Sequence, residues 1–230
     1  MNYLFLRSCN MVNIYPTILV KSKPAYIKLL NRYRKFFNLV QVDVANGSYV
    51  KSKSYYCRHT TGKLNLKTKL DLHLMIDRPL RFIKRWKNVS NVVRFYVHVE
   101  TVTTHAPQRV RGAAEAWRDL RLELSGRKIE LAMAISPKTS ISALKPFIHD
   151  LKTVLILGVI PGRNAAPFIP TTYKRIKQIK KLNPKIKVAV DGGVSPKTAA
   201  KLIVAGADIL YSGSYLNQAA DFKQAIKELT

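Results

Sequence analysis

The chain has 230 residues, 47% of them hydrophobic, and carries 40 Lys plus Arg against 13 Asp plus Glu, a formal net charge of +27. That length suits one barrel domain or two small domains, and the apolar share excludes a disordered chain. No apolar run approaches the roughly 20 residues that cross a bilayer, which excludes a membrane partner of that kind, and the two cysteines, Cys9 and Cys57, imply no disulfide framework.

The positive charge attracts anions of any kind: phosphosugars, nucleic acid, anionic lipid. It reads as a solvated cationic surface with a non-specific attraction for nucleic acid. Met1 to Leu6 are apolar but lack a charged start and a small-residue cleavage site. A cytoplasmic protein is expected, with residues 1–12 as a loosely ordered extension and Met11 as an alternative start. Cys57 and His59 lie close together, but without a second pair they are a weak metal signal.

Short β-branched runs then alternate with longer amphipathic stretches. A strand is predicted over Asn13–Leu19 and a helix over Pro24–Phe37, then a strand over Leu39–Val44, an irregular polar segment, and a strand over Leu70–Met75. A helix starts near Arg78-Pro79, since proline in a first helical turn loses no hydrogen bond. Val92–Val99 is a strand, Val110–Leu124 a helix, Ile129–Ile135 a strand, Ile141–Asp150 a helix, and Val154–Val159 an apolar strand. Tyr173–Leu182 is a Lys-rich helix with Ile176, Ile179 and Leu182 at helical spacing, ended by Asn183-Pro184. Ile186–Val190 is a strand, Pro196–Ala205 a helix stopped by Gly206, Ile209–Tyr211 a short strand and Ala219–Leu229 a last helix. Eight strand–helix units imply a parallel sheet, and within this length they predict an α/β fold, a single (β/α)8 TIM barrel over residues 13–230.

In such a barrel, chemistry sits at the carboxyl ends of the strands. The polar residues there are Gln41 and Asp43, His73, His98 and Glu100, and Asp191. Gln41 and Asp43 share one face by the two-residue period of a strand. A carboxylate facing a barrel interior is costly unless paired or liganded, so Asp43 and Asp191 point either to structural hydrogen bonds or to a site. With His73 beside them they form a plausible divalent-metal site or a two-base arrangement for moving a proton. His98 and Glu100 read as residues that support the site or the structure from behind. Gly192-Gly193, before the helix that starts near Pro196, and Gly213-Ser214, after the last strand, are turns whose backbone can approach a phosphate.

These residues match a known pattern. DLHLM at 71–75, VDV at 42–44, VIPGRNAAPFIP at 159–170, VDGGVSPKTAAKLIVAGAD at 190–208 and SGS at 212–214 resemble the ribulose-phosphate 3-epimerase family from about Ile14 to the end of the chain. The resemblance implies interconversion of ribulose 5-phosphate and xylulose 5-phosphate, one aspartate removing the C3 proton and another returning it on the opposite face. It implies Asp43 and Asp191 as these acid/bases and Asp43, His73 and Asp191 as ligands of one divalent metal ion (Zn, Fe, Mn or Mg). Gly192, Gly193, Gly213 and Ser214 become phosphate contacts. The sequence departs from the family at Gln41, where the family has a metal-binding His; a Gln oxygen there is a weaker donor for zinc or iron and suits a harder ion. It departs also at Val20 for a Ser, at Ala45-Asn46-Gly47 for Met-Asp-Gly, and at Gly162-Arg163-Asn164-Ala165 for Gly-Phe-Gly-Gly. There Gly162 and Arg163 are the candidate phosphate contacts. Alternative expectations are an epimerase of another ketose phosphate and a non-catalytic relative that binds phosphosugars or nucleic acid. A homo-oligomer is expected.

Overall fold

The computed structural model describes residues 12–63, 67–104, 112–161 and 166–230. Eight parallel strands close into a barrel in chain order: β1 (Asn13–Ile18), β2 (Leu39–Ala45), β3 (Lys69–Met75), β4 (Val92–His98), β5 (Glu130–Ile135), β6 (Thr153–Leu157), β7 (Lys187–Asp191) and β8 (Ile209–Ser212). The ring is shut by β1 against β8, Asn13 opposite Ile209 and Pro16 opposite Ser212.

Helices cover the outside: α1 (Lys23–Tyr33), α2 (Arg58–Lys63), α3 (Pro79–Trp86), α4 (Val99–Thr104), α5 (Ala113–Glu123), α6 (Thr171–Leu182), α7 (Pro196–Ala205), α8 (Ser214–Gln218) and α9 (Phe222–Leu229). Among the described residues no helix is long and apolar enough to cross a membrane. Of the expected extension over residues 1–12, all but Val12 lie outside the described residues.

The two-residue period of the strands builds two separate cores. Val40, Val42 and Val44 of β2, with Leu70, Leu72 and Leu74 of β3, face outward and pack with helix residues such as Leu30, Ile83 and Ile176. The alternate positions fill the barrel, where Tyr96 and Tyr211 pack with Ala132, Ala134 and Ala189. Large rings from one side need small residues on the other, since interiors pack at near-crystal density.

The amino end of the barrel interior is polar. Arg94 on β4 donates to Asp71 on β3 at 2.7 Å and to Glu130 on β5 at 2.9 Å, and the Tyr211 hydroxyl donates to Asp71 as well. Asp71 is fully buried, so this pairing is what makes its charge tolerable there.

Several elements differ from expectation. Residues 141–147 form a 3-10 helix, with Pro146 inside it, rather than the expected α-helix. The segment expected as irregular contains α2, and the helix expected over Val110–Leu124 begins at Ala113. Val99 does not end a strand; it starts α4, which lifts Glu100 out of the sheet. The last helix, expected over Ala219–Leu229, begins at Phe222, where Asp221 caps it through the amides of Lys223 and Gln224, and a short α8 precedes it.

Candidate active site

The inner positions at the carboxyl ends of β2, β3 and β7 bring Asp43, His73 and Asp191 together. Their ligand atoms all lie within 4.8 Å of one another. His73 Nδ1 stands 3.0 Å from Asp43 Oδ1 and 3.3 Å from Asp191 Oδ2. Gln41, fully buried, sits across the same gap: its Nε2 donates to Asp43 Oδ1 at 3.0 Å and to Asp191 Oδ2 at 2.9 Å. It lies 3.4 Å from the Thr17 hydroxyl.

Four atoms therefore form a ring with edges of 2.9 to 3.3 Å. An edge of about 3 Å is what separates neighbouring ligands of a six-coordinate ion whose bonds are about 2.1 Å long. Three vertices are already an anionic oxygen, an imidazole nitrogen and a second anionic oxygen. The fourth is the Gln41 amide nitrogen, while Gln41 Oε1 is buried without a hydrogen-bond partner. A half turn of the amide puts that orphaned oxygen on the fourth vertex. The donor set thus fits a divalent ion.

Burial and the charge of Asp191 push the Asp43 carboxyl above the usual carboxylate range, against the pull of His73 and Gln41. Burial works against a charged His73, but hydrogen bonds to Asp191 and Asp43 outweigh it and raise the imidazole. Without a metal ion, a protonated His73 supplies the positive charge between the two carboxylates.

The expected phosphate turns lie at the same pocket, about 870 Å³ in volume, whose lining includes Asp43, His73, Asp191, Gly192, Gly193, Gly213 and Ser214. Gly192 (φ +94°) and Gly193 (φ +70°) make a left-handed turn. A methyl group on Gly192 would stand 2.5 Å from Val159 Cγ2, and one on Gly193 2.9 Å from Phe168 Cβ. Val20 lines the pocket too. Gly162 and Arg163 lie outside the described residues. Among the described residues no metal cluster forms at Cys57 and His59.

His98 and Glu100 reach the centre from behind. His98 Nε2 is 2.9 Å from His73 Nε2, and His98 Nδ1 is 3.2 Å from Glu100 Oε2. Burial holds the His98 ring down at about 4, and bonds to His98, Thr139 and the Ser136 amide hold Glu100 at about 2 despite burial. Four partners in this region were not singled out in the sequence: Tyr49, Ser136, Thr139 and Arg175. Arg175 carried a signal, since Thr172, Arg175, Ile176 and Ile179 are the buried face of α6 at helical spacing.

The sequence is 28% identical to the ribulose-phosphate 3-epimerase of Bacillus subtilis over 165 residues, 70% of either chain. It is 28% identical to that of Schizosaccharomyces pombe over 163 residues, 69% of this chain and 64% of the yeast one. The matched span is thus about two thirds of these relatives' own length. Among solved structures, the 3-hexulose-6-phosphate synthase of Salmonella typhimurium superposes with a TM-score of 0.67 at 11% identity, over 95% of this chain and 96% of that one, a likeness of fold. The sequence profile of the Ribulose-phosphate 3 epimerase family matches residues 13–217. With a closed (β/α)8 barrel beneath that match, the chain belongs to the ribulose-phosphate 3 epimerase family, a family of isomerases.

Proposed function

We propose that the protein epimerises C3 of a phosphorylated ketopentose, converting D-ribulose 5-phosphate to D-xylulose 5-phosphate. The observation that carries this is the pair Asp43 and Asp191, arriving from β2 and β7 on either side of His73 in the pocket that also holds the glycine turns. The C3 hydrogen is acidic because C2 is a ketone. One aspartate takes it as a proton, breaking C–H and forming carboxyl O–H, and leaves an enediolate. The other gives a proton to the opposite face of C3, which inverts the centre. A carboxyl raised toward neutrality by burial suits both halves of that exchange.

Asp43, His73, Asp191 and Gln41 through Oε1 are the residues that would hold a divalent ion. Such an ion supplies charge stabilisation for the developing enediolate oxygens. The Gly192-Gly193 turn and the start of α7 at Pro196, with Gly213 and Ser214 opposite, hold the substrate phosphate through backbone amides.

The test is incorporation of solvent deuterium at C3 of ribulose 5-phosphate, followed by NMR with Mn²⁺, Zn²⁺, Fe²⁺ or a chelator. Metal-dependent exchange with appearance of xylulose 5-phosphate is expected. Folded protein that exchanges nothing with any of these ions overturns the assignment. Exchange confined to a ketohexose phosphate moves it to another substrate of the same chemistry.

A further inference from the structure

We infer that Glu100, acting through His98, decides which nitrogen of His73 carries a proton, and so keeps the His73 Nδ1 lone pair turned toward Asp43 and Asp191. This rests on the reading of His73 as a ligand. Glu100 and His98 are positioning residues: neither lines the pocket that holds the two aspartates.

Donors and acceptors run along one chain of contacts from Glu100 to His73. Glu100 Oε1 accepts from the backbone amide of Ser136 at 2.9 Å and from the Thr139 hydroxyl. That loop is held in place by Arg175, whose guanidinium donates to the carbonyls of Ser136 at 3.0 Å, Pro137 at 3.3 Å and Thr139 at 2.7 Å. With Oε1 fixed, Oε2 is aimed at His98 Nδ1, 3.2 Å away. A carboxylate only accepts, so His98 Nδ1 carries the hydrogen. The Tyr49 hydroxyl, 3.0 Å from the same nitrogen, can accept from it while giving its own hydrogen to Ser136 Oγ, 2.6 Å away.

A neutral imidazole has one N–H, so His98 Nε2 is bare and accepts. The atom facing it at 2.9 Å is His73 Nε2, which must therefore be the donor. A His that ligates an ion is neutral, so with a hydrogen on Nε2 of His73 the lone pair offered to the ion is on Nδ1, the atom 3.0 Å from Asp43 Oδ1 and 3.3 Å from Asp191 Oδ2. A carboxylate two imidazoles away thus sets the tautomer at the centre. Partners behind a metal-binding His do this generally, and their loss costs about 10- to 100-fold in metal affinity.

Glu100→Gln separates this role from packing. The Ser136 N–H is a donor fixed in the backbone, so the variant amide keeps its oxygen there and turns its NH₂ to His98 Nδ1. That nitrogen must then accept, the His98 proton moves to Nε2, and it meets the His73 Nε2–H head-on. His73 can relieve the clash only by holding its proton on Nδ1, which closes the lone pair. Histidine-labelled, metal-free protein read by ¹⁵N NMR is expected to show His98 protonated on Nδ1 in the parent and on Nε2 in Glu100→Gln. Mn²⁺ titration is expected to weaken about 10- to 100-fold in the variant, with circular dichroism unchanged. Tyr49→Phe, which removes a neighbour but leaves the carboxylate, is expected to keep the parent tautomer. A parent His98 protonated on Nε2, or a Glu100→Gln variant that binds Mn²⁺ as tightly as the parent, overturns the inference. The parent tautomer without any Mn²⁺ binding sustains the relay and removes the metal centre of the proposed function.

Discussion

Gln41 gives one amide nitrogen to two aspartates, so a change at this single position is felt by both carboxylates. Gln41→His replaces a neutral oxygen by imidazole and is expected to tighten Zn²⁺ binding at least about tenfold relative to Mn²⁺; competitive titration with unchanged preference would show that Gln41 does not face the ion. Asp43→Asn and Asp191→Asn are each expected to abolish C3 exchange, and turnover near the parent level in either would remove the two-base assignment. Asp43 also makes a prediction about stability. Its carboxyl has an ordinary value of 3.8 and is raised by burial to about 6 in the folded protein. The folded state therefore binds the proton more tightly than the unfolded state. The stability this contributes is complete below pH 3.8 and is lost as pH rises through about 6. Asp43→Asn lacks that loss, so its unfolding midpoint is expected to fall less than the parent's between pH 4 and 7 in scanning calorimetry. Glu100 runs the other way: held at about 2 against an ordinary 4.5, it contributes stability present above 4.5 and lost as pH falls through about 2. Asp43, His73, Asp191 and the two glycine turns could be read from strand ends and motifs alone. Tyr49, Ser136 and Thr139 could not, because they come from loops whose partners are set by the folded register and not by spacing.

Among the elements, α7 was legible from Pro196 at its start and Gly206, at φ +107°, past its end, both local signals, and the structure adds a Ser195–Thr198 capping box. α2 was not, since Arg58-His59-Thr60-Thr61-Gly62-Lys63 has weak helix propensity, and the buried Tyr26–Thr61 hydrogen bond at 2.9 Å helps hold it in place. The turn ahead of α7 is sharply constrained. Gly193→Ala places a side chain at φ +70° and against Phe168, a strain of roughly 1–3 kcal/mol. It is expected to lower the unfolding midpoint and to weaken competition by inorganic phosphate; full retention of both would remove the turn from the phosphate site. At the other end of the barrel, Arg94→Met leaves Asp71 buried without its cation. A loss of about 3–5 kcal/mol is expected in urea unfolding, whereas removing both charges together is expected to cost much less.

For the whole molecule, the lopsided charge has a structural side. Asp43, Asp71 and Asp191 are buried toward the barrel interior, and Glu123, Glu130, Asp150 and Asp208 are each paired with a Lys or Arg. All 13 carboxylates are already subtracted in the net charge of +27, so most of the 40 Lys and Arg have no acidic counterpart. Attraction of this kind is counterion release, so any RNA binding in a filter assay is expected to drop about 100-fold or more from low to physiological salt. Binding that survives would point to a specific site. The barrel architecture was readable from eight alternating units; the wall of rings and alanines inside it was not, because which side chains meet across a barrel depends on register.

The seam between β1 and β8 joins segments roughly 200 positions apart. During synthesis β1 can pair with β2 early, but its other edge has no partner until Ile209–Ser212 leaves the ribosome. At about 5–20 residues per second that edge stays open for on the order of ten to forty seconds. For that time the nascent chain is an incomplete parallel sheet with two bare edges, so the last strand made is the one that ends its exposure to other chains.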